Sequence, residues 1–267
     1  MEQQLHMKNK SLEERYYDVI DDNVNGGKTN PVNEFFLMLA GVGIFCLFVY
    51  FIAGFVTNIS IDRMSNKTQL KIEKILSVSK PYAEDKLSNK NQMLEDIRNK
   101  IVSIDKNLQG KSKFPIYIVE NKDINAFVTA DGSIYFTTGM LEKINDKEAL
   151  TFVLAHELGH YAHRDHLKSI GRELLAGLIL SALTFGQKDM GTLTNGFTEY
   201  NNIKHSQKAE KNADLYANKI VYIMYGNNSG ALKFFETLKK DEKIPEFLYY
   251  FSTHPSTDKR IKYLRAN

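Results

Sequence analysis

The chain has 267 residues, of which 43% are hydrophobic and 25% are charged, and its formal net charge is +3. This near-neutral balance, with Lys and Arg spread along the chain and no nucleic-acid motif, argues against a nucleic-acid partner. The single cysteine, Cys46, excludes an intramolecular disulfide and a disulfide-stapled fold. The length suits one folded domain with a tail.

The N-terminal part of the chain predicts a membrane anchor. Residues 1–34 are a polar tail, and residues 35–56 are 22 consecutive uncharged residues rich in Phe, Leu, Val and Ile. A helix of that length measures about 33 Å, which is enough to cross a bilayer core of about 30 Å. A cleaved signal peptide is a poorer fit because the run is too long and begins 34 residues into the chain. We therefore expect a single transmembrane helix that contacts membrane lipid.

Basic residues near this segment indicate an orientation. Cytoplasmic flanks of membrane helices carry an excess of Lys and Arg. The C-terminal flank is the more basic one, which favours a cytoplasmic location for the domain that follows. The N-terminal flank has Arg15 and Lys28, and the C-terminal flank has Arg63, Lys67, Lys71 and Lys74.

The next elements predict a linker, a helix and a small antiparallel sheet. Residues 57–80 are a polar juxtamembrane linker, and Pro81 can open a helix that runs to about Asn107. Residues 114–119 alternate as a strand does, and Asp131-Gly132 is typical of a hairpin turn. The predicted hairpin strands are residues 126–129 and 133–137.

A metal-binding pattern follows in a helical, apolar stretch. His156 and His160 are four residues apart in H-E-L-G-H, so a helix places both on one face, where they can bind one metal ion. Glu157 can then reach a water on that ion, as in a zinc peptidase. Asn145 and Asp146 both offer an N-cap oxygen for this helix. The alternative is a surface helix with two solvated histidines.

Two residues are candidates for a third ligand. His166 lies ten residues after His156, as in the metzincin pattern, but that pattern has glycine where this chain has His163. Histidine disfavours the positive φ of such a turn, so we expect the helix to continue and His166 to lie away from the metal.

The second candidate is Glu210, in a predicted helix over residues 203–225 that Gly226 ends. Asp214 is four residues further on, and the small Ala213 between them permits a close approach to the first helix. A metal-bound Glu210 with Asp214 orienting a histidine ligand is physically sensible. On these residues alone, a solvated stripe of acidic side chains is the simpler alternative.

The remaining segments predict helices and one loop. Residues 174–185 are apolar but only twelve long, which favours a buried or membrane-surface helix over a second span. Residues 186–196 are predicted to form a loop. Two short helices are expected at residues 229–240 and 256–265.

Taken together, these stretches make the chain resemble the zinc metallopeptidases that include HtpX, the CAAX prenyl proteases and periplasmic proteases such as BepA. The resemblance covers about residues 114–267, with the motifs in the same order and at similar spacing. One departure is Gln207, where many members have arginine. The motifs are Asn125-Ala126-Phe127, residues 131–141, residues 154–160, residues 210–214, His254-Pro255, and Arg260-Ile261 with Leu264.

The resemblance implies roles for the metal-binding residues. It implies that zinc is bound by His156, His160 and Glu210, and that Glu157 is the catalytic base. Asp214 is implied to support a ligand from behind.

The resemblance also implies roles around the substrate. His254 is implied to stabilise the transition state, and Arg260 to support that region. The strand that begins at Asn125, Ala126 and Phe127 would be an edge that binds the substrate backbone by β-augmentation.

We therefore expect an α+β fold: a mostly helical gluzincin-type domain over residues 81–267 with a small antiparallel sheet, preceded by one transmembrane helix. The expected function is a membrane-anchored zinc metalloendopeptidase that cleaves unfolded or membrane proteins. A prenylated substrate is less expected, because one span cannot enclose a lipid-lined chamber. The alternative is a catalytically silent membrane-anchored chaperone or adaptor that retains zinc. The sequence gives no oligomeric state.

Overall fold

The computed structural model describes residues 30–76, 88–183, 206–240 and 262–264, together with Ser11, His254 and Arg260. It divides into two compact units, Met1–Phe51 and Ile52–Asn267. Several predicted features lie outside the described residues. These are most of the tail over residues 1–34, the helix start at Pro81, the loop over residues 186–196, Pro255, Ile261 and most of the last predicted helix.

Helix α1, Pro31–Asp62, contains the whole apolar run. Asn30 caps it, since its side-chain oxygen accepts a hydrogen bond from the Val32 N–H at 3.0 Å, and Pro31 takes the first helical position, where proline is tolerated. It is the one helix in the described part of the chain that is long and apolar enough to cross a membrane. Its last residues, from Ile52, belong to the second unit.

The predicted linker is helical where it is described. Helix α1 continues through Asp62, and helix α2, Asn66–Leu76, follows after a three-residue break. Gln69 and Glu73 of α2 are buried, and Glu73 accepts a hydrogen bond from the Tyr161 hydroxyl at 2.8 Å. The residues predicted as a juxtamembrane linker are thus helical where they are described, because their polar composition conceals one buried face on α2.

After helix α3, Ser88–Ile104, three strands form a sheet in the order β1-β3-β2. Strands β2 and β3 pair antiparallel as the hairpin prediction required, with Gly132 at φ 80° in the turn. Strands β1 and β3 pair parallel, so the prediction of a purely antiparallel sheet is wrong. The α+β class itself is confirmed. The strands are β1, Ile116–Val119, β2, Ala126–Val128, and β3, Ile134–Thr137.

The helical part of the second unit is built around helix α5. Every α5 residue from Ala149 to Tyr161 is buried. Strand β2, helix α3 and the two helices over residues 207–240 pack against it. The other helices are α4, Thr138–Lys143, α5, Lys147–Ala162, α6, Asp165–Leu183, α7, Gln207–Tyr225, and α8, Ser229–Lys240. Gly226 ends α7 at φ 75°, as predicted.

Candidate active site

The two histidines of the H-E-x-x-H motif lie on one face of α5, and their Nε2 atoms are 3.0 Å apart. Helix α5 begins at the predicted N-cap, where the Asp146 side chain accepts hydrogen bonds from the N–H groups of Glu148 and Ala149. Both histidines are buried, which is expensive for imidazoles unless their nitrogens have partners. Helix α5 therefore brings the Nε2 atoms of His156 and His160 close enough together to bind one metal ion.

Helix α7 brings a carboxylate to the same point. Glu210 stands in its first turn, after the N-cap Ser206. Its Oε1 lies 3.2 Å from His160 Nε2, and its Oε2 lies 3.5 Å from His156 Nε2. The close approach of the two helices depends on Gly159, where an added Cβ would lie 3.2 Å from the Cα of Ala213.

His254 completes a cluster of four buried residues whose ligand atoms lie within 4.8 Å of one another. Its Nδ1 lies 3.1 Å from Glu210 Oε1 and 3.3 Å from His156 Nε2. Ligands around a tetrahedral zinc, each about 2.0–2.1 Å from the metal, are about 3.4 Å apart. The measured separations of 3.0 to 3.5 Å fit such an ion. The donor set of imidazoles and one carboxylate is also the one that zinc prefers.

Glu157 is buried at this site with one carboxylate oxygen that forms no hydrogen bond within the described part of the chain. Its side chain is 2% exposed, and its Oε1 forms no hydrogen bond to any described residue. The nearest charged partner of that atom is His254 Nε2, at 3.7 Å. A buried carboxylate oxygen without a hydrogen bond is costly, and a water between Glu157 and a bound zinc would supply one.

Each histidine of the motif has a carboxylate behind it. Asp214 Oδ1 lies 2.9 Å from His156 Nδ1, and Asp165 Oδ2 lies 3.0 Å from His160 Nδ1. Such a partner fixes the ring orientation, with Nε2 directed toward the cluster. Asp165 was missed by the sequence reasoning. The sequence does show an acidic residue five positions after His160. That spacing predicts a contact with His160 only if the helix ends between the two residues, as α5 does at Ala162.

Arg260 supplies positive charge beside Asp214 and Glu210. It donates two hydrogen bonds to Asp214, both 2.7 Å long, and its Nη1 lies 3.1 Å from Glu210 Oε2. The guanidinium also stacks over the Phe235 ring at 5.0 Å. Tyr263 donates a further hydrogen bond to Asp214. Arg260 and Tyr263 therefore hold Asp214 in place behind His156.

The charges of the site are strongly coupled. Burial lowers the pKa of His160, but the carboxylates of Asp165 and Glu210 outweigh burial and raise that pKa to about 10. Burial raises the pKa of Glu210, yet the nearby His254, His156 and His160 hold it well below its usual range. The carboxylates of the site thus favour positive charge beside them, which a bound dication supplies.

His166 is outside this cluster, as expected, but for a different reason from the predicted one. Helix α5 does not continue: it ends at Ala162, with His163 as its C-cap. The positive φ of 58° falls on Arg164, one residue beyond the position where the metzincin pattern has glycine. The chain then turns into α6, and His166 Nε2 lies 3.5 Å from Glu73 Oε1.

The predicted substrate strand lies beside the active-site helix. Strand β2 packs against α5 and pairs, among the described strands, only with β3, so it is an edge of the sheet. Asn125 and Ala126 are buried, whereas Phe127 is half-buried and stacks on Tyr135 with ring centroids 4.9 Å apart. The backbone of β2 is thus the part of this motif that lies at an edge.

The chain is similar in sequence to several known proteases. The chain is 24% identical to human mitochondrial metalloendopeptidase OMA1 over 92% of its own length and 51% of that protein. It is 37% identical to protease HtpX of Legionella pneumophila (strain Corby) over 38% of this chain and 36% of that one. Metalloprotease LoiP of Escherichia coli (strain K12) is 28% identical over 60% of this chain and 64% of its own.

The chain thus spans about half the length of human OMA1 and about a third of that HtpX protein. The profile of peptidase family M48, whose metallopeptidases are zinc-dependent, matches residues 88–267, which include the whole cluster described above. With a match over more than half of its residues, this chain belongs to peptidase family M48.

Proposed function

We propose that the protein is a membrane-anchored zinc metalloendopeptidase. The observation that carries the proposal is the buried cluster of His156, His160, Glu210 and His254, with Glu157 beside it, whose Oε1 forms no hydrogen bond to the residues that the structure describes. A purely structural zinc site has no use for a buried base at that position. The relatives, two named as metalloproteases or metalloendopeptidases and one as a protease, support the same reaction class.

In this proposal His156, His160 and Glu210 are the zinc ligands. Zinc bound there supplies a Lewis acid that polarises the scissile carbonyl and increases the acidity of the attacking water. Glu157 accepts the proton of that water through its free Oε1 and passes it to the leaving amine. Asp214 and Asp165 hold the two imidazoles in the orientation that keeps Nε2 toward the ion.

His254 is proposed to act on the substrate rather than as a fourth ligand. A catalytic zinc keeps one position open, and a fourth protein ligand would close it. Its Nδ1 lies close to Glu210, while Nε2 is directed to the same side as Glu157. A ring in that place can donate a hydrogen bond to the oxyanion that develops on the carbonyl. Arg260 supports this residue, since its Nη1 lies 3.4 Å from the His254 carbonyl oxygen.

The substrate is proposed to bind as an added strand along β2. This strand is a sheet edge next to α5, so its backbone N–H and C=O groups can pair with an extended peptide. Ala126 is fully buried, so side-chain selection by Asn125, Ala126 and Phe127 would be weak. Binding through the backbone suits cleavage of unfolded or membrane proteins of varied sequence.

The membrane placement completes the proposal. Residues 35–56 would anchor the protein in a single pass, and the basic flank after them favours a cytoplasmic catalytic domain. This orientation rests on charge alone.

Proteolysis of an unfolded protein tests the function. The full-length protein in detergent micelles is incubated with fluorescently labelled casein, and the wild type is compared with Glu157→Gln. The variant should keep one zinc per chain and lose at least about 10²- to 10⁴-fold in turnover, because an amide cannot accept the water's proton. Glu142→Gln, an exposed position with the same change of charge, is the matched control and should cleave normally. A cleavage rate of Glu157→Gln equal to that of the wild type would contradict the proposal. If the wild type does not cleave casein, the chaperone or adaptor alternative is favoured.

A further inference from the structure

A second concave site lies in the unit Ile52–Asn267, at the end of α1 and away from the zinc cluster. It is a cavity of about 320 Å³. Four of its lining residues are basic and one is acidic, which leaves a formal excess of three positive charges. The basic residues are Lys106, Lys111, Arg164 and Lys168, and the acidic one is Asp62.

Two of these cations already have partners. Lys168 pairs with Asp62 at 2.6 Å, and Arg164 donates to the Ile61 carbonyl oxygen at 2.5 Å and to Asn66 Oδ1 at 3.3 Å. These contacts fix the end of α1 and neutralise the single carboxylate. The three charges in excess are therefore those of Lys106, Lys111 and Arg164, of which Arg164 is held by neutral acceptors at the end of α1.

The other two cations form no ion pair with any described carboxylate. Lys106 is exposed, and the Lys111 ammonium lies 6.0 Å from the centroid of the Tyr161 ring. Burial lowers the pKa of Lys111, and the positive charge of Arg164 lowers it further, against the opposing effect of Glu73 and Asp105. The positive charge is therefore crowded and incompletely balanced, which favours binding of an anion.

The cavity lies at the outer surface of the phospholipid headgroup layer. The apolar run of α1 ends at Val56, and the helix continues unbroken to Asp62, six residues or about 9 Å further along its axis. A headgroup layer is about 5–7 Å thick on each side of the hydrocarbon core. Asp62 and the cavity beside it are therefore at the polar surface of the bilayer.

Helix α6 indicates the same direction of the bilayer relative to this cavity. It runs antiparallel to the end of α1: Arg164 contacts Ile61, and a Cβ added at Gly171 would lie 2.7 Å from Thr57 Cγ2. The part of α6 beyond Gly171 carries exposed leucines on the bilayer side of the cavity, a pattern typical of a helix in contact with lipid. They are Leu174, Leu178 and Leu180, which are 41%, 52% and 41% exposed.

We propose that this cavity binds the phosphate of an anionic phospholipid headgroup, with Lys106 and Lys111 as its direct contacts. Basic pockets at the membrane surface recognise lipid headgroups by this chemistry. Ala162 and His163 line the same cavity, so a bound headgroup lies against the C-terminal end of α5. The site adds a lipid contact to a membrane anchor and does not depend on the peptidase chemistry.

Calorimetric titration of the full-length protein in uncharged detergent micelles tests the proposal. The probes are dioctanoyl phosphatidylglycerol, dioctanoyl phosphatidylcholine and inorganic phosphate. Phosphatidylglycerol should bind the wild type at least about tenfold more tightly than either other probe. Lys106→Gln/Lys111→Gln should weaken that binding about 30-fold, at about fivefold per lysine. Lys122→Gln/Lys147→Gln, at two exposed positions away from the cavity, is the matched control and should bind as the wild type does.

Equal affinity of the wild type and Lys106→Gln/Lys111→Gln for phosphatidylglycerol would overturn the site. Phosphatidylcholine binding as tightly as phosphatidylglycerol would overturn recognition of net negative charge. Inorganic phosphate binding as tightly as phosphatidylglycerol would overturn the lipid as the source of the phosphate. Melting temperature and zinc content report the folding of each variant. If the double variant does not fold, Lys106→Gln alone, an exposed position, should still show about a fivefold loss.

Discussion

Replacing Asp214 by alanine should lower both the free energy of unfolding and the zinc affinity of the protein. Asp214 is fully buried, and Arg260, which donates two 2.7 Å hydrogen bonds to it, is only 2% exposed. Removing one partner of a buried ion pair leaves an uncompensated charge, which costs about 3–5 kcal/mol. Glu210 remains 3.1 Å from Arg260 Nη1, so we expect about 3 kcal/mol, the lower end of that range.

This loss should appear as a fall in melting temperature of about 6–12 °C, at about 2–4 °C per kcal/mol for a unit of this size. The chain has 14 tyrosines and no tryptophan, so intrinsic tyrosine fluorescence of the full-length protein in detergent can follow unfolding. Zinc affinity should fall about 10- to 100-fold as well, because Asp214 Oδ1 lies 2.9 Å from His156 Nδ1 and orients that ring.

A double-mutant cycle separates the ion pair from simple loss of volume. Arg260→Met alone should destabilise the protein, but Asp214→Ala/Arg260→Met should be less damaging than the sum of the two single changes by about 1.5–3 kcal/mol. Asp214→Asn keeps the volume and an acceptor for His156, so it should retain more zinc than Asp214→Ala. A fall of less than about 3 °C in Asp214→Ala, or strict additivity in the cycle, would show that the pair does not hold the site together.

Three further predictions concern the ligands, the oxyanion and the membrane. Glu210→Ala should lose zinc while His166→Ala keeps about one ion per chain, measured by metal analysis of the purified proteins; the reverse result would make His166 the third ligand. His254→Ala should keep zinc and lower kcat by about 10²- to 10³-fold; loss of zinc would make His254 a ligand, and normal cleavage would remove it from the mechanism. Alkaline carbonate should leave the full-length protein in the membrane fraction, and release would contradict the anchor over residues 35–56. Protease protection in spheroplasts would then test the expected cytoplasmic side.

The local features of the site follow from sequence spacing alone. Four residues make about one turn of helix, so His156 and His160 had to share a face once their segment was helical, and the N-cap and C-cap residues Asp146 and Gly226 marked where helices begin and end. The prediction of helix α1 required only the length of its apolar run and the absence of charged residues from it. These inferences hold because the interactions that decide them lie within a few residues along the chain.

The end of α5 shows where local reasoning fails. His163 was expected to carry the helix onward, yet the chain reverses at Arg164, whose guanidinium binds the end of α1 about a hundred residues earlier. That long-range contact offsets the strain of a positive φ in a residue other than glycine. This turn brings Asp165 Oδ2 to 3.0 Å from His160 Nδ1. The spacing of residues in a continuous helix would not predict that contact.

Sequence by itself therefore determined most of the helices, the hairpin, the apolar segment of spanning length and the residue types of the candidate metal-binding cluster. Tertiary structure decided the parallel pairing of β1 with β3, the burial of Glu73 in a stretch that reads as a linker, and the convergence of His254 on Glu210. The physical reason is the range of the forces involved. Helix periodicity and capping act between neighbours, whereas strand partners and buried charges are selected by groups that lie far apart in the chain and meet only when it folds.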